Sequence, residues 1–217
     1  MNKIKILIAD DHDIVRTGLR LMVENEEDWN VCAATATGRE AVAAAETFQP
    51  DIAILDLTMP DLNGLEALRQ LKRKAPRCEV LLFTASQSDE VVREAFEAGA
   101  KSVVLKTDAS EHLRAALKSL VNRKPYFTTR ASEILFTRFL EKDSIVQKQS
   151  SGGALTPRER ETIQLVAEGK TNKEVANMLG ISVKTAESHR AAIMRKLALK
   201  SVSALVRYAI RQHIIEP

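Results

Sequence analysis

Five short apolar runs, each continuous rather than alternating with polar residues, set the terms for the first half of this chain. They lie at Ile4–Ala9, Val31–Ala34, Ile52–Leu55, Val80–Phe83 and Ser102–Leu105. A strand buried on both faces reads as an unbroken apolar run, and runs this brief are too short for buried helices. Between them lie stretches with helical spacing, Ile14–Glu24, Gly38–Thr47, Gly64–Lys74, Asp89–Ala98 and Ser110–Val121, the third with Leu65, Leu68 and Leu71 on one face. Strand and helix in strict alternation imply right-handed crossovers, so the expectation is an α/β fold with a doubly wound, five-stranded parallel sheet.

That unit uses little more than half of 217 residues, 45% of them apolar, and the remainder suffices for a second, smaller core. Lys124-Pro125 interrupts the pattern, a helical period returns over Thr129–Leu140, and Glu141–Ala154 is polar and carries Ser-Ser-Gly-Gly, as a linker does. From Leu155 every signal is helical. Thr156 caps a helix with Pro157 at its first position, Gly169 stops it, and Thr171 or Asn172 caps a second that ends at Gly180. Ser182 opens a third over Val183–Leu197, and Ser201 a fourth with Leu205, Val206 and Ile210 at helical spacing, suited equally to core packing or to a dimer contact. The expected division is residues 1–122, a linker with one helix over 123–153, and an all-α, four-helix domain over 154–217.

The net charge of +3 is unevenly spread: residues 1–123 carry −4, 124–154 carry +2 and 155–217 carry +5. A basic tail behind an acidic front suits a polyanionic partner for the tail alone. No apolar run is long enough to cross a membrane, and the amino terminus turns acidic at Asp10-Asp11 where a secretory signal would continue apolar, so a cytoplasmic protein is expected. Cys32 and Cys78 sit in strand-like contexts and read as reduced, buried thiols rather than as a disulfide or metal pair.

Ligands of an open parallel sheet bind beyond the carboxyl ends of its strands. Strand one ends at Asp10-Asp11, strand three at Asp56, strand four at Thr84 and strand five at Lys106, so these five side chains should share one rim. Three carboxylates together call for a counter-charge, and oxygen-only ligands suit Mg²⁺. Asp56 is then the candidate nucleophile for an acyl phosphate, with Thr84, Lys106 and the loop amides meeting the phosphoryl charge. Asp13 reads as a helix cap and His12 as a solvated loop residue. A phosphohydrolase of the haloacid dehalogenase kind would need a second acid two positions after the nucleophile, and Thr58 stands there.

At ILIADDH, DLTMPDLNG, LFTAS and GAKSVVLK, over residues 3–122, the chain resembles the response-regulator receiver family, whose fold is flavodoxin-like. The resemblance implies phosphorylation of Asp56 by a sensor histidine kinase, Mg²⁺ held by Asp10, Asp11, Asp56 and the Thr58 carbonyl, and a phosphoryl group gripped by Thr84 and Lys106. The family pattern usually has an aromatic residue at position 103 and Pro at 107; this chain has Val103 and Thr107.

In the tail, NKEVANMLGISVKTAESHRAA reads as a helix-turn-helix whose second helix enters the DNA major groove. With Ala186 facing inward, helical phasing places Ile193 and Leu197 inward and Lys184, Glu187, Ser188, Ala191 and Arg195 outward. Lys184 and Arg195 suit phosphate or guanine, Glu187 suits cytosine, and Thr185 belongs to the same turn. Thr171, Asn172 and Lys173 at the preceding helix start are phosphate candidates, and His189 reads as making a structural hydrogen bond. LTPRE, GKTNKEVA, LGIS and TAESHRAAIMRKL resemble the LuxR-type helix-turn-helix, with Ala186 and Ala192 where Val and Asn are usual. The combination is similar to the NarL/FixJ class of two-component response regulators, which implies double-stranded DNA as partner, a homodimer on phosphorylation, transcription control rather than enzymatic turnover, and no membrane association. The corresponding expectation for the resting state is a receiver that occludes or mispositions the recognition helix. A helical module for docking proteins is the rival reading of the tail.

Overall fold

The computed structural model describes residues 3–142 and 155–216. The linker's Ser-Ser-Gly-Gly lies outside them. Five strands, β1 (Ile4–Ala9), β2 (Trp29–Thr35), β3 (Ile52–Asp56), β4 (Glu79–Thr84) and β5 (Ser102–Leu105), form one parallel sheet in the order β2-β1-β3-β4-β5. Helices α1 (Asp13–Glu24), α2 (Gly38–Phe48), α3 (Gly64–Lys74), α4 (Asp89–Ala98) and α5 (Ala109–Val121) alternate with them.

Alternate residues of the continuous apolar runs feed opposite faces of the sheet. Ile6, Ile8, Ile52, Ile54, Leu81, Phe83 and Val104 pack beneath α1 and α5 with Leu19, Leu113 and Leu117. Leu7, Ala9, Ala53, Leu55, Val80, Leu82 and Val103 meet α2, α3 and α4 on the other side. Each fully buried Leu or Ile there contributes roughly 2 kcal/mol of transfer free energy. The edge strand β2 extends beyond its apolar run to include Trp29, Asn30 and Thr35, and pairs with β1 alone. Pairing slips by one residue between Ile6↔Val31 and Leu7↔Ala33, leaving Cys32 as the extra residue. Both cysteines are free thiols, Cys78 buried and Cys32 half-buried.

Helix α6 (Thr129–Lys142) follows, with Ala131 and Ile134 joining the α2–α4 side of the core. Four further helices follow among the described residues: α7 (Pro157–Ala167), α8 (Asn172–Leu179), α9 (Val183–Lys196) and α10 (Val202–Arg211). Their starts are as the sequence dictates. Thr156 and Thr171 each form a reciprocal capping box, with Glu159 and Glu174, while Ser182 and Ser201 accept from the amides of Thr185 and Ala204. Gly180 ends α8 with φ +64°. Ile163, Val166, Val175, Leu179, Ala186, Ile193, Leu205 and Ala209 are the centre of this second core. Leu205 therefore belongs to the interior, with Val206 and Ile210 half-buried beside it.

The two units are in contact. Helix α7 lies against α3, with Gln70 Nε2 donating to Glu161 Oε1 at 2.8 Å; its Arg160 pairs with Glu94 of α4 at 3.1 Å, and Lys170 just beyond it pairs with Asp61 of the loop before α3 at 3.5 Å.

Candidate functional site

Asp10, Asp11, Asp56, Thr84 and Lys106 meet at one rim of the sheet, beyond the carboxyl ends of β1, β3, β4 and β5. The Lys106 ammonium lies between two carboxylates, 2.8 Å from Asp10 Oδ2 and 3.0 Å from Asp56 Oδ2. Asp10, Asp56 and Thr84 are almost wholly buried. Burial raises the Asp56 pKa to about 6; Lys106 opposes the rise, and the charges of Asp10 and Asp11 add to it. Burial works against the Lys106 ammonium as well, but the carboxylates of Asp10 and Asp56 outweigh it and hold its pKa above the ordinary value.

Three carboxylates against one ammonium leave the rim short of positive charge, and ligand atoms of Asp10, Asp11, His12 and Asp56 lie within 4.8 Å of one another. A divalent cation fits that donor set. His12 is an exposed loop residue, as the sequence suggests, and it also stands beside the cluster. It is the residue before α1, with Nδ1 2.7 Å from Asp11 Oδ1 and its backbone amide donating to Asp10 Oδ1 at 2.9 Å. No sequence signal distinguished this arrangement from a solvated histidine. Asp13 occupies the first turn of α1 rather than its cap and pairs with Arg16, which also donates to the Asp10 backbone carbonyl at 2.6 Å.

The loop after β3 is tightly specified. A Cβ on Gly64 would stand 2.0 Å from the Asp56 carbonyl oxygen, so only glycine fits. Asp61 adopts φ +66°, and Asn63 caps α3 through the Glu66 amide. The Thr84 hydroxyl accepts from the Ser86 amide at 3.0 Å. Near it, Val103, Leu105, His112 and residues 128–131 line a cavity of about 230 Å³ between β5, α5 and the start of α6.

In the second unit the phasing argument places the surfaces correctly: Lys184, Glu187, Ser188, Ala191 and Arg195 are exposed on α9, while Ala186 and Ile193 are buried and Leu197 is half-buried. Thr185 is half-buried and hydrogen-bonded to Ser182. Of the candidates at the start of α8, Lys173 projects into solvent, Asn172 Oδ1 accepts from Arg190 at 3.2 Å, and Thr171 is engaged in its capping box. His189 is half-buried at a small cavity with Thr156, Arg158, Glu159, Thr162 and Ala192. The outward face of α9 is exposed in this structure, and the first unit grips α7 instead.

Residues 6–118 match the response regulator receiver domain family, and residues 153–209 match the luxR family of bacterial regulatory proteins. The chain is 35% identical to the oxygen regulatory protein NreC of Staphylococcus epidermidis over 98% of its own length and 99% of that protein. Among solved structures it resembles the RcsB response regulator of Salmonella typhimurium, with 28% identity, a TM-score of 0.63 and coverage of 96% of this chain and 97% of that one. It also resembles RcsB in a DNA complex, with 27% identity, a TM-score of 0.59 and coverage of 95% and 98%. Sequence, sheet order and rim geometry agree with these matches, and the chain belongs to the two-component response regulators in which a receiver domain is joined to a LuxR-type DNA-binding domain, a family of transcriptional regulators and not of enzymes.

Proposed function

We propose that this chain acts in the cytoplasm, that Asp56 accepts a phosphoryl group from the phosphohistidine of a sensor histidine kinase, and that this event promotes a homodimer whose recognition helices bind double-stranded DNA. The observation that carries the reading is the Lys106 ammonium bridging Asp10 and Asp56 at a buried rim shared with Thr84. The working division is a receiver over 1–122, a linker with one helix over 123–153 and a DNA-binding domain over 154–217.

The Asp56 carboxylate oxygen attacks phosphorus as the phosphorus–nitrogen bond breaks, and the imidazole leaves with that electron pair. Asp10, Asp11, Asp56 and the Thr58 carbonyl would hold Mg²⁺, which when bound would supply neutralisation of the transferring phosphoryl charge. Lys106 gives a hydrogen bond to a phosphoryl oxygen. The Thr84 hydroxyl accepts from the Ser86 amide and keeps its own O–H free to donate to a second phosphoryl oxygen, so that a turn of the hydroxyl towards the phosphoryl group pulls on the loop ahead of α4. Arg130 of α6 pairs with Asp89 at the start of α4, 3.0 Å away. A shift in that loop therefore reaches the linker helix without an aromatic residue at position 103.

On the DNA side, Lys184 and Arg195 meet phosphate or guanine, Glu187 reads cytosine, Ser188 and Ala191 permit close approach, and Thr171, Asn172, Lys173 and Thr185 lie where the adjacent backbone passes. Since α7 is held and α9 is free, the receiver acts on the placement of the recognition helix rather than on its exposure.

Acetyl phosphate and Mg²⁺ test the receiver chemistry. One base-labile phosphoryl group per chain is expected, with Asp56→Asn abolishing it and beryllofluoride increasing the dimer fraction. Phosphorylation that persists in Asp56→Asn refutes the assignment.

A further inference from the structure

The loop after Asp56 is not held by the receiver alone. Of its four successive amides, Leu62 N donates to Pro60 O and Gly64 N to Leu57 O, both at 2.7 Å. The other two go to the DNA-binding domain. Asp61 N donates to the Glu168 carboxylate at 3.1 and 3.3 Å, and Asn63 N to Gln164 Oε1 at 2.8 Å. The same Gln164 amide donates through Nε2 to the Met59 carbonyl at 2.8 Å and to Glu168 Oε1 at 2.8 Å. A donor to a carbonyl and an acceptor from an amide fix which end of the side chain is which. Gln164 and Asn63 are 1% and 3% exposed, so neither bond is shared with bulk water.

A single planar amide from one domain thus joins both ends of the 59–63 loop of the other. The backbone carbonyls beside Asp56 show what this does. Leu57 O is taken by Gly64 N and Met59 O by Gln164, whereas the Thr58 carbonyl between them accepts no hydrogen bond among the described residues. An irregular backbone group left unpaired between two fixed neighbours is available to an external ligand. If the loop were slack, a ligand would have to order it on binding and lose affinity by doing so.

We propose that Gln164 is a positioning residue for the receiver's phosphorylation site, supplied by the DNA-binding domain: it braces Met59 and Asn63 and so presents the Thr58 carbonyl ready-ordered to a divalent cation. This rests on the reading of Asp56 and its Mg²⁺ given above. Linkage makes the effect mutual, so the cation in turn strengthens the docking of α7 by the same factor.

The test uses the full-length chain, as wild type, Gln164→Ala and Gln70→Ala. The last removes a bond to Glu161 across the same interface without touching the loop. Amide hydrogen exchange is followed at Asn63 by NMR, and Mg²⁺ is titrated against the amide spectrum. Gln164→Ala should speed exchange at Asn63 and weaken Mg²⁺ binding about three- to tenfold, as expected for one or two lost hydrogen bonds. Gln70→Ala should leave Mg²⁺ affinity within about twofold, because it spares the loop. Equal weakening in both variants, or unchanged or tighter Mg²⁺ binding in Gln164→Ala, overturns the proposal. A wild-type chain that binds no Mg²⁺, or that takes no phosphoryl group on Asp56, defeats the proposed function instead. The Asn63 exchange rate, which needs neither, still decides whether Gln164 braces the loop.

Discussion

Replacing Asp56 with Asn should make the metal-free protein more stable at neutral pH, although it removes the residue on which the proposed phosphorylation depends. The ionised carboxylate is buried beside Asp10 and Asp11, and Lys106 compensates only in part, so its pKa stands at about 6 against a usual 3.8. At about 1.4 kcal/mol per pH unit, that difference amounts to about 3 kcal/mol of strain carried by the charged form above pH 6. Water reaching the rim reduces this, and an observed gain of about 1–3 kcal/mol is expected. The sign follows from proton binding. The folded state holds the Asp56 proton more tightly than the unfolded state, so the wild type gains stability from this group as pH falls from about 6 towards 3.8. Asn has no such term, and the advantage of the variant should shrink across that window. The single Trp29 lies in β2, so urea unfolding followed by its fluorescence in EDTA reports on the receiver alone. Added Mg²⁺ should stabilise the wild type more than the variant and narrow the gap. A wild type equal to or more stable than Asp56→Asn at pH 7.5 in EDTA would show that the rim carries no excess negative charge.

Gly64→Ala drives a Cβ into the Asp56 carbonyl; it should destabilise the receiver by more than about 2 kcal/mol and suppress acetyl phosphate labelling, read by denaturation and mass spectrometry. Lys184→Ala with Arg195→Ala should weaken DNA binding, with the slope of log affinity against log salt falling by about 1–2; an unchanged slope would place both side chains away from phosphate. Thr156→Ala removes a capping box and should cost about 1 kcal/mol in the helical domain, measured by circular dichroism.

The parts of this protein that were legible in sequence are those fixed by local chemistry. Unbroken apolar runs announced strands covered on both sides, and the Thr-Pro and Ser caps announced the helical tail almost residue by residue. The rim followed from one topological rule applied to Asp10, Asp11, Asp56, Thr84 and Lys106. His12 is the exposed loop residue that the sequence suggests, but its contacts with Asp10 and Asp11 depend on how the turn before α1 folds back on them, and nothing in the neighbouring residues encodes that. Glu161, Gln164 and Glu168 were invisible for a different reason. Polar residues on a helix ordinarily face water, and only the docking of α7 on α3 turns them inward. Long-range polar contacts carry no periodic signature, so the junction between the two domains had to be seen in space.

The side of the helical domain that is held and the side that is free have a consequence for how such a regulator discriminates among promoters. With its back held and its reading edge exposed, one head of the proposed dimer would still be able to sample single half-sites. The grip would then govern the distance and angle at which a second head can stand beside the first. A protein built this way would sort operators by the spacing of their repeats.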